Sequence, residues 1–175
     1  MKRHHTLLTL LLSVYGVETV YAGDACDRSS PEQMAKHFGV SAEQVQEEML
    51  YQRRSTSHCS WRVAEQAGVS VSVSYRINGM PKNVTDPDFF TKRIAQMISD
   101  GHKVGNKTLN YAAQTLGGKQ GALSEDKSQY TTELSFVWVT ENNTMDAVSL
   151  AYTSAQGGNA PTQKTLDELV VKLAN

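Results

Sequence analysis

Nine residues, Val69 to Ile77, read apolar and polar in strict turn. Val69, Val71, Val73, Tyr75 and Ile77 fall on one side, and Ser70, Ser72, Ser74 and Arg76 on the other. Side chains of a strand point alternately to its two faces, so this run predicts a strand with one apolar and one hydroxyl-rich face. That pattern suits an antiparallel sheet covered on one side and solvated by its serines on the other. Upstream, Cys59, Trp61 and Val63 alternate with Ser60 and Arg62, and Gln66-Ala67-Gly68 reads as the hairpin turn joining the two strands.

The remaining elements are less uniform. Ser30-Pro31-Glu32-Gln33 is a capping box with proline at the first helical position, and Gly39 stops that short helix. Ser41-Ala-Glu-Gln44 repeats the box, and Val45 and Met49 share a face at i, i+4, which predicts a second short helix. Asp86-Pro87 opens a helix with the apolar stripe Phe90, Ile94, Met97 and Ile98, ended by Gly101 and expected to pack on the valine face. Strands are expected around Leu109 to Ala113 and Gln120 to Leu123, with Gly117-Gly118 as the turn between them. Tyr130 to Thr140 and Met145 to Thr153 form a further hairpin, with Leu134, Phe136, Trp138, Val148, Leu150 and Tyr152 on one face and Val137 and Val139 on the other. A glycine-containing loop with Gly157-Gly158 leads to Thr165-Leu-Asp-Glu168, which opens the last helix with its stripe Leu166, Leu169, Val170 and Leu173. The order predicts one α+β domain over residues 23–175, an antiparallel sheet with helices packed on it.

The chain has 175 residues and a formal charge of -1. Without a basic stripe there is no electrostatic case for nucleic acid. Met1-Lys-Arg-His-His5, the apolar run Thr6 to Val17, and Val20-Tyr21-Ala22 together read as a secretory signal peptide, residues 1–22. The apolar run is shorter than the roughly 20 residues of a spanning helix, so no integral membrane segment is expected after cleavage. Gly23 and Asp24 do not suit lipidation at Cys26. The expected location is the periplasm or the medium. The only two cysteines, Cys26 and Cys59, are then expected to form a disulfide, which stabilises a loop of this length by roughly 3–4 kcal/mol.

Searching for chemistry returns little. His58 beside Cys59 offers a base to a thiol, but strand neighbours point to opposite faces. His37, His58 and His102 have no metal-ligand spacing and are read as surface residues. The glycine-rich Gly117-Gly-Lys-Gln-Gly121 and Gly157-Gly-Asn159 lack the spacing of a phosphate-binding loop. Asn83-Val-Thr85, Asn106-Lys-Thr108 and Asn142-Asn-Thr144 match glycosylation acceptors, which matter only in a eukaryotic secretory route. Trp61 and Trp138 are read as core, and Arg53-Arg54 with Arg62 as a small basic patch. Asp86, Asp100, Glu125, Asp126 and Glu141 lie in turns or caps. No cofactor, metal or catalytic set is expected.

Cys26, the Pro-Glu-Gln helix ending Phe38-Gly39, and Cys59-Ser-Trp61 entering a hairpin resemble a family of small secreted and lipid-anchored bacterial domains of unknown function. Their fold is similar to the PsbP/Mog1-like α/β/α sandwich. The resemblance implies that fold and an envelope or extracellular binding role without catalytic residues. The expected function is therefore non-enzymatic and exported: binding another protein as an inhibitor, immunity factor or assembly factor. Two alternatives stand beside it, a periplasmic small-ligand binder and a hydrolase assembled in space from residues such as His102, Glu125 and Asp126.

Overall fold

A computed structural model describes residues 24–53, 55–155 and 160–174. The signal peptide expected over residues 1–22, Arg54 and the Gly157-Gly158 turn lie outside them. A 3-10 turn at Cys26–Arg28 precedes helix α1, Pro31–Phe38. The capping box of α1 is present in both directions between Ser30 and Gln33, and Gly39 closes the helix in the left-handed conformation, φ 68°. Strands β1 (Val45–Arg53), β2 (Thr56–Gln66) and β3 (Val69–Asn78) follow. Helix α2 spans Phe89–Asp100. A two-stranded ribbon comes next, β4 (His102–Val104) and β5 (Lys107–Leu109). Strands β6 (Tyr111–Leu116), β7 (Lys119–Lys127), β8 (Thr131–Val139) and β9 (Met145–Ser154) then lead to helix α3, Gln163–Leu173.

Seven strands form one sheet in the order β1-β2-β3-β9-β8-β7-β6, with every neighbouring pair antiparallel. The mixed α+β expectation holds. β2 and β3 are joined by the two-residue turn Ala67-Gly68, both at positive φ (49° and 78°), the hairpin geometry whose twist matches the strands.

The expected second helix is absent. Ser41 and Gln44 do form their capping box, but it caps only a 3-10 turn, Ala42–Gln44. The chain then runs on as β1, which pairs with β2 from Val45↔Val63 to Arg53↔Thr56. A spacing of four is even, so Val45 and Met49 share a face in a strand as well as in a helix. Pairing with the edge of β2 settles the choice in favour of the strand.

The apolar face carries the main core. Val73, Tyr75, Trp61, Cys59, Phe136, Trp138, Val148 and Leu150 are all buried there beneath Met34 and Ala35 of α1 and Leu166, Leu169, Val170 and Leu173 of α3. A fully buried side chain of this kind contributes about 1.5–3 kcal/mol. α3 is also held to the sheet at the β6–β7 turn, where the Gly117 amide donates to Asp167 Oδ1 at 2.7 Å.

α2 does not pack on that face. Its Ile94 and Met97 bury against Ala122 and Val137, with Tyr111, Val139, Met145 and Ala147 around them. Those residues belong to the opposite face, since they alternate with Leu123, Phe136, Trp138 and Val148 along their strands. The reason is local: β7, β8 and β9 present alanines and valines where β3 presents serines. The serine face is therefore not simply solvated. Ser60, Ser74, Ser149, Ser135 and Ser124 are cross-strand partners in one row, and its two ends, Ser60 and Ser124, are buried. Ser135 and Ser149 share a hydrogen bond of 2.6 Å.

Candidate functional site

At one end of the sheet a second cross-strand row runs along the apolar face: Ile77, Asp146, Trp138, Gly121 and Gln114. The period of β9 brings Val148 and Leu150 inward, and two places earlier it brings Asp146 inward as well, 2% exposed. A buried carboxylate needs partners. The Tyr75 hydroxyl donates to Asp146 Oδ2, and the Thr144 hydroxyl donates to Oδ1 at 2.7 Å. Thr144 is fixed in turn by Thr140, whose hydroxyl lies 2.8 Å from its own and accepts from its amide at 3.2 Å.

Arg28 approaches from the 3-10 turn that follows Cys26. Its guanidinium lies over the Tyr75 ring, 5.9 Å from the centroid. Burial pushes the Asp146 carboxyl above its ordinary range, against the two hydroxyl hydrogen bonds and Arg28, which favour the charged form. Burial, and then the neighbouring carboxylate, push the Tyr75 phenol far up, so it stays a donor at any physiological pH.

An open cleft of about 1290 Å³ crosses this end of the sheet. Asp146 and Trp138 lie in its lining with Arg28 and with the amide side chains Gln114, Gln120 and Asn142. α2 contributes Ile94, Ala95 and Ile98. β6, an end strand of the sheet, enters the lining at Ala113, Gln114 and Thr115. The arrangement offers hydrogen-bonding amides and hydroxyls beside short apolar surfaces. It suits recognition of a polar chain, and it places no imidazole or thiol beside Asp146.

Cys26 and Cys59 are bonded, with Cα atoms 5.1 Å apart. Cys59 is the cross-strand partner of Tyr75, so the disulfide fastens the turn that carries Arg28 above that tyrosine. Cys26, Cys59 and Glu47 are the one close trio of potential metal ligands among the described residues, and both sulfurs are committed to the disulfide. Glu47 instead accepts from Trp61 Nε1 at 2.8 Å.

The three histidines stay apart and are each partly buried rather than freely exposed. His37 meets Phe38 edge-on at 4.8 Å. His58 lies on the serine face, with Nδ1 3.5 Å from Arg76 Nη2 and Nε2 buried without a partner. Burial and then Arg76 depress its pKa to about 4. His102 Nδ1 lies 3.3 Å from Arg93. Asp126 pairs with Lys107 and Glu125 with Lys127, and as strand neighbours the two carboxylates face opposite ways, so His102, Glu125 and Asp126 do not converge. Arg53 stacks over Tyr51 at 4.8 Å, away from Arg62, which faces Gln46 and Ser72.

Arg28, Tyr75, Thr144 and Asp146 are not among the sequence candidates. The signal that locates Asp146 is the alternation Tyr152, Leu150, Val148 carried two places further. Comparison with protein-family models, curated proteins and solved structures returned no match. No helix among the described residues is long and apolar enough to cross a membrane.

Proposed function

We propose that this chain is an exported, non-enzymatic binding protein that takes an extended segment of another protein in the cleft across the strand ends. The observation that carries the reading is that cleft: about 1290 Å³, open, and lined by amides and hydroxyls beside the free edge of β6. An extended segment can pair with exposed backbone while neighbouring surfaces read its side chains. The volume exceeds the roughly 300–1,000 Å³ of a typical small-molecule site, which favours a polymer over a metabolite. Export, with cleavage after Ala22 into the periplasm or medium, is supported by the Cys26–Cys59 disulfide, since such bonds persist in oxidising compartments. Helices on both faces of the antiparallel sheet support the PsbP/Mog1-like sandwich as the fold.

Affinity capture from the native envelope and medium, with the oxidised protein as bait, tests this. Ala95 is exposed on α2 and lines the cleft, so Ala95→Arg fills the cleft without disturbing the core. The expected result is one stoichiometric protein partner, lost with Ala95→Arg at unchanged melting temperature. A partner retained by that variant removes the cleft from the reading. A second reading, a small polar ligand held near Asp146, rests on the buried Asp146–Tyr75–Thr144 network. It is favoured by a ligand-induced rise in melting temperature when capture returns no protein.

A further inference from the structure

We infer that the free edge of β1 is a self-complementary interface that pairs antiparallel with β1 of a second copy of this chain. β1 hydrogen-bonds β2 on one side only and ends the sheet. Edge strands in monomers are commonly blunted by lysine, proline or very short length. This edge is nine residues long and contains neither lysine nor proline. It carries Met49, Leu50 and Tyr51, 38%, 46% and 37% exposed, three consecutive members of the seven exposed large apolar side chains among the described residues. The bulge at Leu50 turns that side chain outward without ending the ladder, which resumes at Tyr51↔His58 and continues to Arg53↔Thr56.

Charge selects the occupant. Glu48 stands opposite Ser60, Tyr51 opposite His58, and Arg53 opposite Thr56. Counted along β2, Glu48 and Arg53 therefore lie two places on either side of Tyr51, and all three side chains share one face. A two-fold axis through Tyr51, perpendicular to the sheet, sets Glu48 of each copy beside Arg53 of the other and places the apolar stretch at the centre. Neither Glu48 nor Arg53 makes an ion pair among the described residues; the only partner of the Arg53 guanidinium is the ring of its own neighbour Tyr51. Opposite charges directly across an antiparallel pair stabilise it, and like charges oppose it.

Sedimentation velocity of the oxidised protein over a concentration series is the test, with Glu48→Arg, Arg53→Glu and the double variant. Both side chains are exposed, so melting curves should stay unchanged. The wild type is expected to shift from monomer towards dimer as concentration rises, less so in high salt. Each single variant is expected to weaken self-association about tenfold or more, through two repulsive contacts per dimer. Mixing the two single variants restores association as a heterodimer, and the double variant restores the homodimer. A monomer at every concentration overturns the inference, and so does a dimer indifferent to both exchanges.

Discussion

The Tyr75 hydroxyl donates a hydrogen bond to the Asp146 carboxylate across 71 positions of sequence, joining the middle of β3 to the start of β9 inside the core. Both groups are buried, so neither can turn to water if the other is removed. Tyr75→Phe should destabilise the fold by about 1–3 kcal/mol, because it leaves a buried carboxylate oxygen unsatisfied. In an Asp146→Asn background the same change should cost distinctly less. Denaturant unfolding of the four proteins measures the coupling. Additive losses would show that the two side chains act independently.

Acid stability should be set by two groups working against each other. Asp146 has a folded pKa above its ordinary 3.8, so its favourable contribution is complete below that value and is lost as pH rises through the folded one. His58 has a folded pKa of about 4 against an ordinary 6.5, so its contribution is complete above 6.5 and is lost as pH falls towards 4. His37, depressed mainly by burial, adds to the His58 side. Melting temperatures measured from pH 4 to 7 should fall more steeply towards acid in Asp146→Asn than in the wild type. His58→Gln should flatten the same limb. An unchanged His58→Gln profile would mean that the imidazole is as well solvated folded as unfolded.

The disulfide should hold the Arg28 turn as well as the chain ends it joins. Cys26 and Cys59 are 33 positions apart, and opening that loop by Cys26→Ala with Cys59→Ala should cost roughly 3–4 kcal/mol in the chain-entropy model. Arg28 then loses its anchor over Tyr75. Since Arg28 favours the ionised form of Asp146, the Asp146 pKa should rise further in the variant. Carboxyl carbon shifts followed by NMR across a pH titration report it directly. A stability loss without a change in that titration would confine the disulfide to a bracing role.

How much of this was legible from residues alone depended on whether one period or two fitted the pattern. Val69 to Ile77 allowed only a strand, and the Ser30–Gln33 box allowed only a helix start. Val45 and Met49 satisfied both periods, and what decided between them, the neighbouring edge of β2, is not a local property. The face chosen by α2 was hidden for the same reason: its stripe fits any apolar surface, and the alanines and valines that receive it come from four different strands. Asp146 was readable in principle, by extending the inward positions of β9. Its partners were not, because Tyr75 looks like one more apolar-face residue and Arg28 reaches it only through the disulfide-fastened turn.

The β6–β7 turn offers a test of packing between sheet and helix that separates backbone conformation from space. Gly117 and Gly118 both lie in the left-handed region, at φ 56° and 74°. A Cβ on Gly118 would meet nothing within 4 Å, whereas one on Gly117 would lie 2.7 Å from Val170 Cγ1 and 2.9 Å from the Val171 amide nitrogen. Gly118→Ala should therefore cost only the conformational penalty, about 1–2 kcal/mol. Gly117→Ala carries that penalty and must also push α3 away from the turn, loosening the bond from the Gly117 amide to Asp167 and the burial of Val170. Its cost should exceed that of Gly118→Ala by at least about 1 kcal/mol, the lower end for overpacking a closed contact. Chemical denaturation gives the difference, and hydrogen exchange in α3 should quicken only in Gly117→Ala. Equal losses at the two positions would mean that α3 yields freely at this contact.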